Sequence, residues 1–259
     1  KNVEFLVLDE ADRMLDMGFH DDIEGIIQQT PANRQTLLFS ATYPDGIKQL
    51  SADFQKNPIE ISVEALPTGN QIKQLFYQID QTTKKKALTQ LLNHYQPVSS
   101  VIFCNTKALC RELNDYLKHQ GFSSLALHGD LEQRERDQVL VQFSNKSCSI
   151  LVATDVAARG LDIKDLAAVI NYDLFPQPDV YIHRIGRTGR AGKEGLALSL
   201  YSKREEDKLE AIKEFQGKKL QREQITSLPE PSEASRLPPM VTLCLSGGKK
   251  QKVRPGDIL

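Results

Sequence analysis

Apolar and polar positions along this chain fall into two alternating textures. Short runs are apolar throughout, which predicts strands buried on both faces; longer stretches return an apolar residue every three or four positions, which predicts helices with one buried stripe. Val3 to Asp9 is of the first kind, Asp21 to Gln29 is of the second through Ile23, Ile26 and Ile27, and Thr36 to Phe39 is again a short strand. Asp45 to Phe54 continues as a helix and Ile59 to Val63 as a last strand, after which Leu66-Pro67-Thr68-Gly69-Asn70 breaks the pattern as a linker. Strand and helix in alternation predict a parallel sheet.

Beyond the linker the alternation restarts. Candidate strands are Gln74 to Ile79, Ser100 to Cys104, Ser124 to His128, Ile150 to Ala153, Ala168 to Tyr172 and Leu196 to Tyr201. Lys84 to Tyr95, Lys107 to His119, Arg134 to Phe143 and Val180 to Ile185 supply the crossover helices. A doubly wound α/β domain is expected over residues 73–217, preceded by part of another over 1–65, with a linker at 66–72. Arg204 to Phe215 reads as a terminal amphipathic helix with Leu209, Ile212 and Phe215 on its stripe. A second linker is expected over 218–238, on the strength of the Pro-, Ser- and Glu-rich stretch from Leu228 to Pro239. Met240 to Leu245 resumes a strand pattern before a basic cluster of Lys249, Lys250, Lys252 and Arg254, so a truncated third domain is expected over 239–259. A solvated turn is the plainer reading of that cluster.

Composition narrows the picture only a little. The chain is 40% hydrophobic and 26% charged, as in ordinary globular proteins. With 33 basic against 34 acidic residues the net charge is -1, so no bulk basic field favours nucleic acid and any such partner must be argued from local residues. Cys104, Cys110, Cys148 and Cys244 lack Cys-x-x-Cys spacing and sit in or near apolar runs, which predicts buried free thiols and a reducing, cytoplasmic setting. No apolar run approaches the roughly 18 residues that cross a bilayer, and no signal peptide is evident.

Candidate chemistry gathers at strand ends, where open parallel sheets place their ligands. The run Phe5-Leu6-Val7-Leu8-Asp9-Glu10-Ala11-Asp12 is an apolar strand closing on carboxylates, the arrangement by which nucleotide-hydrolysing folds hold Mg²⁺ against a triphosphate. Its usual partner, a phosphate-cradling Gly-x-x-x-x-Gly-Lys-Ser/Thr loop, occurs nowhere in the sequence. Since the first residue is also not Met, the chain reads as a fragment. Ser40-Ala41-Thr42 follows the next strand, so its hydroxyls fall beside those carboxylates, within reach of Asp12; a helix N-cap is the alternative.

Ala153-Thr154-Asp155-Val156-Ala157-Ala158-Arg159-Gly160-Leu161-Asp162-Ile163 follows another strand. Asp162 suits a ribose hydroxyl, while Thr154 or Asp155 capping a helix N-terminus accounts for part of the same pattern. Tyr181-Ile182-His183-Arg184-Ile185-Gly186-Arg187-Thr188-Gly189-Arg190 is the most specific segment. Its glycines admit close approach of backbone to ligand. Arg187 and Arg190 suit triphosphate oxygens, because a guanidinium binds phosphate through paired hydrogen bonds and stays charged. A solvated charge run is the competing reading.

Taken in this order, Asp9-Glu10-Ala11-Asp12, Ser40-Ala41-Thr42, the Ala153 to Ile163 segment and His183 to Arg190 resemble the DEAD-box RNA helicase family over residues 1 to about 215. Val101 to Thr106 and His128-Gly129-Asp130-Leu131, with Gln133 and Arg136, also match the family's patterns. The resemblance implies an α/β fold of two RecA-like parallel-sheet domains, the first of them only its C-terminal half, and an RNA-stimulated ATPase. By it, Asp9 binds Mg²⁺ through water, Glu10 orients or deprotonates the attacking water, and Arg187 and Arg190 act on ATP as arginine fingers. It further implies that Asp162 contacts the ATP ribose and that Thr106, Arg136 and Thr154 grip RNA phosphates, with Gly129 admitting the RNA backbone. Asp12, Ser40, Thr42 and His183 would couple ATP to RNA. The tail from Pro238 is similar to the opening of the C-terminal RNA-binding domain of DbpA-like bacterial helicases, an α+β domain of the RNA-recognition-motif kind. That similarity implies a hairpin of 23S rRNA as partner and a role in 50S subunit assembly.

Three readings compete: an RNA helicase, directed to ribosomal RNA or acting as a general RNA chaperone; a DNA-unwinding relative; and a non-catalytic RNA-binding module. The combined motifs favour the first, since a module that only binds RNA has no need of Glu10, Arg187 and Arg190. By itself this chain is expected to hydrolyse no ATP, because carboxylates without a phosphate loop cannot position a triphosphate. No obligate protein partner and no membrane role is expected.

Overall fold

A computed structural model of the chain describes residues 3–62, 72–158, 165–189, 194–228 and 238–243. The chain divides into two compact units, Lys1–Glu64 and Ala65–Leu259.

In the first unit β1 (Phe5–Leu8) lies parallel to β2 (Gln35–Leu38) in a two-stranded sheet, with Leu6 opposite Thr36 and Leu8 opposite Leu38. Helices α1 (Ala11–Asp16), α2 (His20–Gln28) and α3 (Asp45–Phe54) pack on one side of it. The core gathers Leu8, Ala11, Ile23, Ile27, Ile47 and Leu50. Because successive side chains of a strand point to opposite faces, Leu6 and Leu8 enter this core while Phe5 and Val7 remain 62% and 53% exposed. Within this chain β1 is thus covered on one face. Residues 59–62, expected as a last strand, carry no ladder, and Ile59 and Ile61 stand almost wholly exposed. Strand propensity reflects fit to a neighbouring strand, and among the described residues none pairs with them.

The second unit is built on a seven-stranded parallel sheet in the order β5-β6-β4-β7-β8-β3-β9. In chain order its strands are β3 (Ile72–Gln78), β4 (Ser100–Cys104), β5 (Ser124–Leu127), β6 (Ile150–Thr154), β7 (Ala168–Asn171), β8 (Gly195–Tyr201) and β9 (Gln221–Glu223). The helices are α4 (Lys84–Tyr95), α5 (Lys107–His119), α6 (Gln133–Ser144), α7 (Asp155–Ala158), α8 (Pro178–Ile185) and α9 (Glu206–Gln216). Alternation along each strand feeds two layers. Ile102, Val152, Ile170 and Leu198 meet Leu88 and Leu91 of α4 and Leu113 of α5. On the opposite face Val101, Phe103, Leu151 and Val169 pack with Phe143 of α6, and Phe76 with Tyr181 and Ile185 of α8 and Leu209 of α9. With helices on both faces, β4, β6 and β7 are buried at every position, which is why they are apolar but for Ser100, Thr154 and Asn171 at their ends.

Three tail expectations change. Gln221–Glu223, placed in a linker by composition, forms β9 on the edge of β3, and Ile225 and Leu228 pack against the core beyond it. A three-residue polar edge strand is held by backbone hydrogen bonds and leaves no apolar signature. Phe215, expected on the stripe of α9, is 52% exposed, whereas Leu209 and Ile212 are buried. At the expected strand Met240 to Leu245, the described residues 241–243 form no ladder, with Val241 and Leu243 exposed. Cys244, the basic cluster and the rest of the expected third domain lie outside the described residues, as does most of the 66–72 linker. Cys104, Cys110 and Cys148 are buried free thiols. Among the described residues no helix is long and apolar enough to cross a membrane.

Candidate functional site

The polar end of the first unit begins where β1 stops. Asp9 is exposed, and Glu10, which precedes α1, takes a left-handed backbone (φ 51, ψ 45) with its N–H donating to Asp9 Oδ1 at 2.9 Å. That conformation costs a non-glycine residue about 1–3 kcal/mol, and such strain concentrates at functional positions. Asp12, one turn on, is 5% exposed. Its Oδ2 accepts from Thr42 N at 2.9 Å and Thr42 Oγ1 at 2.8 Å, while its own N–H donates to Ser40 Oγ at 3.3 Å. Ser40 Oγ donates in turn to Thr42 O at 2.6 Å. The hydroxyls after β2 therefore tie to the helix after β1, and β1 and β2 are locked at their C-terminal ends.

The donor set at Asp9 fits a hydrated Mg²⁺. One exposed carboxylate retains lone pairs beyond the bond from Glu10, and among the described residues no group of three or more His, Cys, Asp or Glu forms a metal cage. Mg²⁺ keeps several waters and commonly takes only one or two carboxylates plus phosphate, so no cage is required.

In the second unit the sheet order does the assembling. Strands β5, β6 and β4 are neighbours, and Gly129, Thr154 and Thr106 follow or end them on the same edge. At about 4.8 Å between strands, the row spans about 10 Å. Thr106 caps α5 by accepting from Leu109 N at 3.2 Å. Gly129 is exposed, has no positive φ, and a Cβ placed there meets nothing within 4 Å, so nothing inside the chain demands glycine. Arg136, in the first turn of α6, donates to Ala157 O at 3.2 Å, which brings it beside the segment after β6. Next to this row Asp130 accepts from Lys107 and Arg111, and those bonds, that from Lys107 foremost, hold its carboxyl below the usual range. Arg111 Nε donates to His128 Nε2 at 3.2 Å, so the neutral ring carries its proton on Nδ1. Burial, and next the Arg111 cation, lower the His128 pKa.

α8 carries His183 and Arg184, and Arg187 follows in the turn beyond its end, half-buried. That turn is pinned: Leu166 N donates to Arg187 O at 3.2 Å, and Thr188 Oγ1 donates to Leu166 O. Gly189 has φ +69, and a Cβ on Gly195 would lie 2.5 Å from Gly189 N, so both glycines are required for the turn to seat against β8. Asp162 and Arg190 lie outside the described residues.

Residues that sequence reasoning passed over surround Arg184, which is 2% exposed. Asp155, offered by the sequence as a helix cap, gives both carboxylate oxygens to Arg184, each at 2.7 Å. Asn105, Asn171 and Asp173, its other acceptors, were not singled out either. Apart from the sequence-marked residues, a cavity of about 1130 Å³ lies at the C-terminal ends of β3, β8 and β9, lined by Asp80, Ser202, Arg204 and Arg222 among others.

Two family descriptions match the chain: DEAD/DEAH box helicase over residues 1–50, and helicase conserved C-terminal domain over residues 83–192. It is 50% identical over 254 residues to the ATP-dependent RNA helicase DbpA of Escherichia coli (strain K12), a match covering 98% of this chain and 55% of that protein. Among solved structures, Saccharomyces cerevisiae Dbp5 bound to RNA and ADP BeF3 is similar at 35% identity and TM-score 0.78, over 86% of this chain and 60% of that one. The C-terminal domain of Dbp5 is similar at 37% identity and TM-score 0.57, over 61% of this chain and 93% of that one. The chain spans about half the length of the curated relatives it matches.

Proposed function

We propose, for a chain that belongs to the DEAD-box RNA helicase family, that it supplies the hydrolytic carboxylates and an RNA-gripping edge to an ATP-dependent RNA helicase. The observation that carries this reading is the row of Gly129, Thr154 and Thr106 along three adjacent strand ends, with Arg136 beside it. An exposed hydroxyl at Thr106 and an exposed backbone at Gly129, with the largely buried Thr154 between them, suit a sugar–phosphate strand, and contacts of this kind position RNA without reading its bases.

In this reading Glu10 accepts the proton of the attacking water, or orients it, and its strained backbone is kept because it aims that carboxylate. Asp9 holds Mg²⁺ through water, and the metal, when bound, neutralises developing charge on the phosphates. Arg187 and Arg190 supply forked donors to the transferring phosphoryl group, and Asp162 takes the ribose. Asp12, Ser40, Thr42 and His183 relay the state of one ligand to the other. We assign the domains as part of a first RecA-like unit to residue 65, a second from 73, and an RNA-recognition-motif-like start after 238, with ATP, Mg²⁺ and RNA as ligands. The three buried free thiols support a cytoplasmic setting. The resemblance of the tail from Pro238 to the RNA-binding domain of DbpA-like helicases favours a narrower target, a 23S rRNA hairpin met during 50S subunit assembly.

The test is steady-state ATPase of the full-length protein with a large-subunit rRNA fragment and, separately, with unrelated structured RNA of equal length. Selective stimulation by the rRNA fragment is expected. Equal stimulation retains the RNA helicase and removes the ribosomal target; stimulation by neither overturns the reading.

A further inference from the structure

Arg184 is the most densely bonded side chain among the described residues. A guanidinium has five N–H donors, and each finds an acceptor. Nε and Nη2 donate to the two oxygens of Asp155 at 2.7 Å, Nη2 also to Asn105 Oδ1 at 3.0 Å, and Nη1 to Asp173 O at 2.6 Å and Asn171 Oδ1 at 3.3 Å. Its plane lies over Phe103 and Phe175, 5.1 and 5.7 Å from their ring centroids. The acceptors are themselves held. Asp173 takes Asn105 N at 3.2 Å and the buried Lys84 Nζ at 3.0 Å, and Asn105 Nδ2 donates to Leu174 O at 3.2 Å.

The partners stand at telling positions. Asn105 is the residue before Thr106 and Asp155 the residue after Thr154, so one side chain clamps the loop after β4 and the end of β6 next to both threonines. The same side chain belongs to α8, immediately after His183 and one turn before Arg187, whose N–H donates to Arg184 O at 3.2 Å. A buried ion pair is a poor device for stability alone, because well-packed apolar replacements are often as stable or more so. What such a network does supply is fixed geometry among segments far apart in the chain.

We infer that Arg184 is a positioning residue that makes the RNA-gripping edge and the segment bearing Arg187 move as one body, so that RNA binding and nucleotide binding report on each other through it. The inference rests on the reading of Thr106, Thr154 and Arg187 given under Proposed function. A shift of α8 cannot occur without dragging Asp155 and Asn105, and the reverse holds equally. Coupling of this kind is reciprocal: the factor by which nucleotide tightens RNA equals the factor by which RNA tightens nucleotide.

The experiment measures that factor in the full-length protein. Affinity for a fluorescein-labelled, mixed-sequence single-stranded RNA is titrated with and without adenylyl imidodiphosphate, for wild type, Arg184→Lys, Asp155→Asn and Asn105→Ala. Asn105→Ala leaves the Arg184–Asp155 pair in place and so keeps a folded variant in the set, which thermal melting verifies. The ratio of the two RNA affinities is expected to fall at least tenfold in Arg184→Lys and Asp155→Asn, and about threefold in Asn105→Ala. A merely structural role weakens both affinities alike and leaves the ratio at its wild-type value; that result overturns the inference while the helicase reading stands. A wild-type ratio of one removes the helicase reading and the inference with it.

Discussion

In the seven-stranded sheet β4, β6 and β7 are buried along their whole length, whereas in the two-stranded sheet β1 and β2 turn one face to solvent, with Phe5 and Val7 exposed. Both carry their candidate chemistry at the C-terminal end of the strands, yet they brace it differently. Under full cover the brace is a buried cation with five hydrogen bonds reaching three strand ends. In the half-covered sheet it is Asp12 with the backbone and hydroxyl of Thr42 and the hydroxyl of Ser40, all within one loop-to-helix contact. A low-dielectric interior strengthens charge pairs and penalises unpaired ones, so a long-range ionic clamp belongs in a closed interior. The Asp12 tie, also buried, is shorter in reach and joins one helix to one loop.

The largest expected effect lies at the strained carboxylate. In the full-length protein Glu10→Gln should lower ATP turnover by about 10²–10⁴-fold while RNA and nucleotide affinities stay within about twofold, as steady-state rates and equilibrium titration would show. Equal loss of binding and turnover would mean that Glu10 shapes the site and does not act on water. Next comes the clamp: Arg184→Ala leaves Asp155 buried without its partner and should destabilise the second unit by about 3–5 kcal/mol. Native-state hydrogen exchange, read separately in the two sheets, should show no matching change in β1 and β2.

The same readout sharpens the contrast in cover. Val101→Thr, at a position 1% exposed, should cost about 1–3 kcal/mol by burying a hydroxyl. In the 259-residue chain by itself, Val7→Thr, at 53% exposure, should cost less than about 0.5 kcal/mol. A Val7→Thr cost equal to that of Val101→Thr would show that the outer face of β1 is covered in solution.

The smallest effect concerns His128. Burial and the Arg111 cation put its folded-state pKa below the ordinary 6.5, so between those two values the unfolded chain binds the extra proton. Its contribution is therefore present above pH 6.5 and lost as pH falls through that window toward the lowered value. Denaturant melts of His128→Gln across this window should show a shallower pH dependence than wild type; an identical slope would place the titration elsewhere.

Most strands of the second unit were legible as largely apolar runs, because burial on both faces leaves a strand few polar positions, among them here Ser100, Thr154, Asn171 and Ser199. The first unit was legible to its helices, and the apolar run in β1 says that both faces suit burial; within this chain one of them is covered. The segments proposed to carry the chemistry stand out in the sequence because each is contiguous, from Asp9-Glu10 to His183–Arg187. The tie of Thr42 to Asp12 could be anticipated because consecutive parallel strands end side by side. The brace at Arg184 could not. Its acceptors at 105, 155, 171 and 173 reach from 11 to 79 positions away along the chain, and they converge because β6, β4 and β7 are neighbours in the sheet. β9 escaped for a related reason, being a polar triplet that becomes a strand only by backbone bonding to β3. Composition, strand positions and linear motifs are properties of neighbours in sequence and were determined there; strand order, the covering of faces and the company of a buried charge arise from chain segments meeting in space, and only the tertiary structure decided them.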